Sequence, residues 1–438
     1  MDGQSATASV AVGSSATVVD PMTDVNFLDF LVINPSVNLT GDIYLADLEG
    51  LYSPRQPVTP TYTAIPQNPS WLQYAGSPDQ FTSGGVTIAD FDDSHLQAAD
   101  HNTTGSVVTN AINAAIKTLP PNATPNMVQV NGDLTDDGTT ADLQYGYQEL
   151  QSFGLPFHDA VGNHEIGQGA DPEDKFWTTL FGDTHYTYTD GAAEVIETDS
   201  ANGGLIASDD FQVPMEEQYT WLVSQLNAST SKDIILLTHM PAYDPHPVAN
   251  SQFSDRYEAQ MYEQIAEIYQ RTHLGQHVIL LFGHARGVAE QILDPDGTPD
   301  QNGLPNFTVA DAGVPPYATV DQGGFYNYAL FHILPDGTVQ FAIQPVVNSI
   351  AVTAPQPSLT RGATEQLTAT GTTPTGDDLA AQQVPIANPA SHVWSSSDPA
   401  VATVDPATGQ VTAKSPGTAT ISVTSGGVTG TVTVTVTP

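Results

Sequence analysis

The fold class this sequence predicts is α/β, with a small all-β module at its C-terminal end, and three observations predict it. From Val86 onward, apolar extended runs alternate with runs of helical period, the rhythm of a sheet covered by helices on both faces. After Ser349 the helical period disappears, and short Val/Thr-rich alternating runs separated by turn residues take its place, as in a β-sandwich. Within the α/β part, five apolar runs each end in Asp, Asn or His, a pattern that gathers metal-binding groups at the carboxyl ends of sheet strands.

These shifts divide the chain into an extension (residues 1–80), an α/β domain (81–346) and an all-β module (347–438). In the extension, the alternation of Ala8, Val10 and Val12 and the run Thr17-Val18-Val19 suggest strands. Phe27 to Ile33 suggests a buried strand, and Pro54 to Pro69 an extended connector. In the α/β domain, strands are predicted at Val86 to Phe91, Met127 to Val130, Pro156 to Val161, Glu194 to Glu197, Asp233 to Leu237 and His277 to Phe282. Three more apolar runs, the last ending at Ile343, close the domain. Helices are predicted at Val107 to Leu119, Thr140 to Phe153, Met215 to Leu226 and Asp255 to Thr272, each with apolar residues at helical spacing.

Composition narrows the chemistry. There is no Cys, so disulfides and thiolate metal sites are excluded, and any metal must be held by oxygen and imidazole. Lys+Arg number 9 against Asp+Glu 49, a formal net charge of -40. That surface repels polyanions, which argues against stable nucleic-acid binding, and it suits salty or extracellular surroundings. No apolar run approaches the length of a membrane span, and Met1-Asp2-Gly3-Gln4 opens without a basic region or signal-type apolar core. The absence of Cys and the Thr-, Ala-, Gly- and Pro-rich composition lean toward a secreted or cell-surface protein whose signal has been trimmed.

The central stretch is Leu155 to Glu165, a short extended segment entering a Gly turn, after which Asn163, His164 and Glu165 arrive together. Short polar residues favour turns, and alone this would be a hydrophilic loop. Its company is Asp93-Ser94-His95, Gly132-Asp133, Thr238-His239 and Gly283-His284, each closing an apolar run. In order and spacing these five blocks resemble the calcineurin-like metallophosphoesterases over about residues 81–346. Glu197-Thr198-Asp199-Ser200, Gln218 to Leu222 and His239-Met240-Pro241 add to the likeness. Ending the first strand at Asp90 instead would put Asp92 where a His belongs, so the Asp93 register fits better. Likewise Val393 to Pro399, Val401 to Asp405, Gly409 to Lys414 and Gly417 to Ile421 resemble the group 2 bacterial immunoglobulin-like domain across residues 348–438.

The resemblance implies a mixed β-sheet sandwich flanked by helices, and two divalent ions (Mn, Fe or Zn) that neutralise a phosphate ester and acidify a bound water. By the family pattern Asp93 and His95 hold the first ion, Asp133 bridges both, and Asn163, His239 and His284 hold the second. His164 faces the phosphate, steadying the transition state or protonating the leaving oxygen. The fifth block departs from the family. Gly-His-x-His becomes Gly283-His284-Ala285-Arg286, which removes one imidazole from the first ion. Arg stays protonated and cannot be a ligand, but its fork fits a phosphate oxygen. Two consequences stay open: a weakened or empty first site with Arg286 assisting, or a gap filled by water or a carboxylate such as Asp92.

The remaining histidines read as surface or satisfied core imidazoles, although His246, close behind the fourth block, is placed to reach a substrate. Trp177, Trp221 and Trp394 read as core, and Asp294 to Asp300 as a solvated turn. The expected function is hydrolysis of phosphomonoesters or phosphodiesters, with a phosphorylated small molecule as substrate. The terminal module is expected to contact cell wall or carbohydrate. The competing expectation is a catalytically silent surface binding protein on the same fold.

Overall fold

The computed structural model describes residues 70–438 apart from 168–173, 207–214, 301–302, 310 and 388–389, together with the antiparallel pair Thr7–Val10 and Ser14–Thr17. The segments Phe27 to Ile33 and Pro54 to Pro69 lie outside the described residues.

Where the alternation predicts one helix-covered sheet, the described residues of this domain form two, each of six strands. The first runs in the order Leu72–Tyr74, Val339–Pro345, Asn327–Ile333, Val86–Phe91, Met127–Val130 and Phe157–Asp159, with the last three parallel. The second runs Ala289–Leu293, Leu304–Thr308, His277–Phe282, Asp233–Thr238, Ala193–Thr198 and Tyr186–Asp190, with its four middle strands parallel. The reason lies in side-chain alternation. Ile235, Leu237, Ile279 and Leu281 face a core shared with Ile88, Phe331 and Phe341 of the first sheet. Ile234, Leu236, Val278 and Leu280 face the other way, against helices Met215–Ala228 and Arg256–Thr272. A strand buried on both faces reads as an unbroken apolar run, and such a run cannot reveal whether a helix or a second sheet covers it. The result is the mixed sheet sandwich with flanking helices that the family resemblance implies.

Several boundaries shift. The helix predicted at Val107 to Leu119 is Thr104–Ile116, because the Thr103 side chain caps the chain by accepting from Ser106 N–H. The strand predicted at Pro156 to Val161 is only Phe157–Asp159, and Asn163 to Gly167 form a short helix rather than a loop. The strands predicted from Val86 to Phe282 and the other three helices stand where expected to within two residues, but strands Leu72–Tyr74 and Tyr186–Asp190 were not predicted, and four strands rather than three runs close the domain. Beyond residue 346 three small sheets enclose one core that includes Trp394, Ile421, Val423 and Val434. Trp177 is fully buried, and Trp221 is half-buried against the second helical layer. Asp294 to Asp300 turns between two antiparallel strands.

Candidate metal centre

Both sheets deliver their loops to one place. Asp93 and His95 follow the strand Val86–Phe91, Asp133 follows Met127–Val130, and Asn163 and His164 follow Phe157–Asp159. From the second sheet come His239 after Asp233–Thr238, and His284 and Arg286 after His277–Phe282. Among the described residues the non-glycine residues with left-handed φ are Asp93, His95, Asp133, Asn250, His284 and Arg286. Five of these are predicted site residues, and the Asn250 carbonyl accepts from His284 Nε2 at 2.7 Å. Backbone strain is thus concentrated where the candidate ligands meet, as expected of a site held by its surroundings. Gly132 is needed for the same reason: its φ is +94°, and a Cβ there would lie 2.5 Å from His239 Nδ1.

One half of the centre is built from acceptors. His239 Nδ1 donates to Asn131 O at 2.6 Å and His284 Nε2 donates to Asn250 O, which leaves His239 Nε2 and His284 Nδ1 as lone-pair atoms. These two nitrogens are 3.1 Å apart. Asn163 Oδ1 lies 3.2 Å and Asp133 Oδ1 3.3 Å from His239 Nε2. Acceptors this close and this buried need a cation or a proton among them. Spacings near 3 Å are what adjacent ligands of an ion with bonds of about 2.1 Å present. Without an ion a proton takes the role. Burial opposes charge on His239, yet Asp133 and Asp93 push its pKa up to about 9. Burial likewise raises Asp133, but His239, His284 and His95 hold it well below the ordinary carboxylate range.

The other half contains Asp93, His95 and the second oxygen of Asp133. His95 Nε2 lies 3.6 Å from Asp93 Oδ1 and 3.5 Å from Asp133 Oδ2. Arg286 enters this group: its Nε is 3.3 Å from Asp93 Oδ1 and its Nη2 3.4 Å from His95 Nε2, while the guanidinium lies 4.7 Å from the Tyr317 ring centre. Burial disfavours charge on His95, but Asp133, Asp136 and Asp93 raise its pKa well above the usual imidazole range.

All eight predicted residues therefore meet in one cluster. Asp133 joins the two halves, and His164 stands at the side, its ring centre 4.0 Å from that of His95. His246 does not join: only its backbone N–H is bonded, to Asp244 Oδ1, and its ring has no hydrogen bond or ion pair with the cluster among the described residues. Among the described residues Asp92 is in none of the groups that could hold an ion. It is fully buried, and burial together with Asp93, Asp90 and Asp311 pushes its pKa well up.

Sequence reasoning missed Asp136, whose Oδ1 accepts from His95 Nδ1 at 3.1 Å and whose carbonyl accepts from His164 Nδ1 at 2.6 Å. It also gave no role to Glu165, buried and bonded to the N–H groups of Gly162, Asp133 and Thr135. The signal for Asp136 was its place three residues after Asp133. Glu165 directly follows Asn163 and His164, but its tie to the Asp133 loop is visible only in three dimensions.

Residues 93–285 match the family model for calcineurin-like phosphoesterases, and residues 346–436 that for the bacterial Ig-like domain (group 2). Among curated proteins, the probable glycerophosphodiester phosphodiesterase GpdQ of Arcobacter nitrofigilis is 27% identical over 119 residues, covering 27% of this chain and 42% of that protein. The chain thus spans less than half the length of that relative. Among solved structures, PhoD is 11% identical with a TM-score of 0.43, covering 83% of this chain and 73% of its own. The 5'-nucleotidase of Candida albicans SC5314 is 11% identical with a TM-score of 0.36, covering 61% and 52%.

Proposed function

We propose, from the match of residues 93–285 to the calcineurin-like phosphoesterases and of residues 346–436 to the group 2 bacterial Ig-like domains, that the chain is a metal-dependent phosphoesterase acting on phosphomonoesters or phosphodiesters. The observation that carries this reading is the position of Asp133. One of its oxygens faces His239 at 3.3 Å and the other faces His95 at 3.5 Å, so a single carboxylate serves two donor sets.

In this reading Asp133, Asn163, His239 and His284 hold one divalent ion, and Asp93, His95 and Asp133 offer a poorer place for another. A divalent ion held there neutralises phosphate oxygens and acidifies a water. The chain's own residues do the rest. Arg286 directs its guanidinium to a phosphate oxygen from a position fixed by Asp93 and Tyr317. His164 Nδ1 is tied to the Asp136 carbonyl, which leaves Nε2 to hold a proton for the leaving oxygen. Strand Leu72–Tyr74 pairs with Val339–Pro345 in the first sheet, so the catalytic unit starts near residue 70 rather than at 81 and runs to about 346, with residues 347–438 the module of a secreted or cell-surface protein.

The test pairs elemental analysis of the purified protein with turnover of aryl phosphate mono- and diesters in added manganese. Asp133→Asn is expected to lower kcat/KM by about 10³-fold or more, because it weakens both donor sets, and His164→Ala by about 10²–10⁴-fold. Protein that carries no metal and turns over neither ester would instead favour a catalytically silent binding protein.

A further inference from the structure

The C-terminal module is built into the wall behind the metal centre. Val384 and Ala390 are buried in the core shared by the two large sheets. Ser391 N–H donates to Ile343 O at 2.7 Å, and its hydroxyl donates to Ala75 O at 3.1 Å. Just upstream of this anchored stretch, residues 376–378 reach the first turn of helix Thr104–Ile116. Asp378 Oδ1 accepts from the Thr104 N–H at 2.8 Å and from the Thr104 hydroxyl at 2.6 Å. Gly376 N–H donates to Thr104 Oγ1 at 3.0 Å, and Asp377 N–H to Asn102 O at 3.1 Å. The approach is close enough that a Cβ at Gly376 would lie 2.2 Å from Asn102 O.

That helical turn in turn backs the loop carrying Asp93 and His95. A Cβ on Gly105 would lie 1.8 Å from the Ser94 carbonyl oxygen, and Thr109 Oγ1 donates to Ser94 Oγ at 3.1 Å. Ser94 is flanked by two non-glycine residues in the left-handed region, Asp93 at φ 47° and His95 at φ 46°. Such a backbone persists only where neighbouring structure over-determines it. The helix supplies that support from behind, and Asp378 fixes the helix by taking up an N–H at its first turn, where a carboxylate is also favoured by the helix dipole.

We propose that Asp378 is a positioning residue of the metal centre, acting through Thr104, Gly105 and Ser94 to hold Asp93 and His95 in their ligand geometry. Its functional consequence rests on the phosphoesterase reading above. The C-terminal module is then a working part of the catalytic unit rather than a spacer.

Full-length Asp378→Ala and Asp378→Asn proteins test this through manganese titration followed by electron paramagnetic resonance, and through hydrogen exchange across residues 93–95. Asn keeps the accepting oxygen. Asp378→Ala is expected to weaken the manganese equivalent held by Asp93, His95 and Asp133 by about 10–100-fold, the range for groups that orient ligands, and to speed exchange at 93–95 by about tenfold. Asp378→Asn is expected to restore both. An alanine variant that melts earlier but binds manganese and exchanges at 93–95 like the wild type would overturn the proposal. Should that variant not fold, Thr104→Val, which removes the hydroxyl contacts alone, must move both readouts the same way by a smaller factor, and no movement rejects the idea. The phosphoesterase reading fails by a different result, wild-type protein that neither binds manganese nor cleaves an ester, while hydrogen exchange still decides whether Asp378 positions the loop.

Discussion

The two halves of the metal centre share Asp133 and lie against each other, yet they have opposite needs. Around His239 Nε2 only acceptors gather: His284 Nδ1 at 3.1 Å, Asn163 Oδ1 at 3.2 Å and Asp133 Oδ1 at 3.3 Å. Around His95 Nε2 the acids are already met by a tethered cation, the Arg286 guanidinium, 3.3 Å from Asp93 Oδ1. The first half is completed only by a cation from solvent, whereas the second already has one positive charge of its own and is the poorer place for an ion. The contrast teaches that, in the proposed reading, the arginine of the fifth block need not dismantle the site. It can replace one of two exchangeable charges with a fixed one.

The largest effect expected from this contrast concerns the acceptor half without metal. His239 has its folded pKa raised to about 9, above its ordinary 6.5. A group raised in the folded state contributes stability that is fully present below pH 6.5 and is lost as pH climbs through 9. In chelator-treated protein the loss should be on the order of 3 kcal/mol, counting the His239–Asp133 attraction once. Glu263 and Asp311, both pushed to about 8 chiefly by burial, lose stability in the same direction. The His239 part is therefore the difference between wild type and His239→Asn in denaturant midpoints from pH 6 to 10. Equal slopes in the two proteins would show that the acceptor half needs no cation.

A smaller effect probes the other half. Arg286→His removes the tethered cation and offers a neutral imidazole. Affinity for the second manganese equivalent, weak in the wild type, should improve by about tenfold or more. Isothermal titration distinguishes the outcomes. Two equivalents of equal affinity in the wild type, or an unimproved second equivalent in the variant, would break the asymmetry.

How much of this was legible in the sequence depends on how far each residue's partner lies along the chain. The blocks at Asp93, Asp133, Asn163, His239 and His284 were readable because a strand end and the polar residues after it are adjacent in sequence. The pairing of two sheets was not, since Ile235 and Ile234 look alike in a run where each faces a different core. The start of the helix at Thr104 was hidden in a polar stretch, because its signal is a cap, Thr103, rather than a periodic apolar residue. Arg286 was readable as a departure, but its seat between Asp93 and Tyr317 was not. Asp378 was beyond reach altogether, as its partner Thr104 lies 274 positions away.

The smallest effect separates long-range from contact charge. A formal net charge of -40 sets up a field that opposes a phosphate anion at a distance, whereas Arg286 is half-buried and acts at contact range. Salt screens the first and barely touches the second, because the Debye length falls from about 30 Å at 0.01 M to about 3 Å at 1 M. For an aryl phosphate dianion, kcat/KM should therefore rise several-fold across that range, opposite to enzymes whose surface attracts their substrate. Arg286→Gln should lower the curve at every salt concentration by about the same factor and leave its slope unchanged. If the slope changes instead, Arg286 belongs to the screened surface field, and the description of this half as holding a fixed, desolvated cation is wrong.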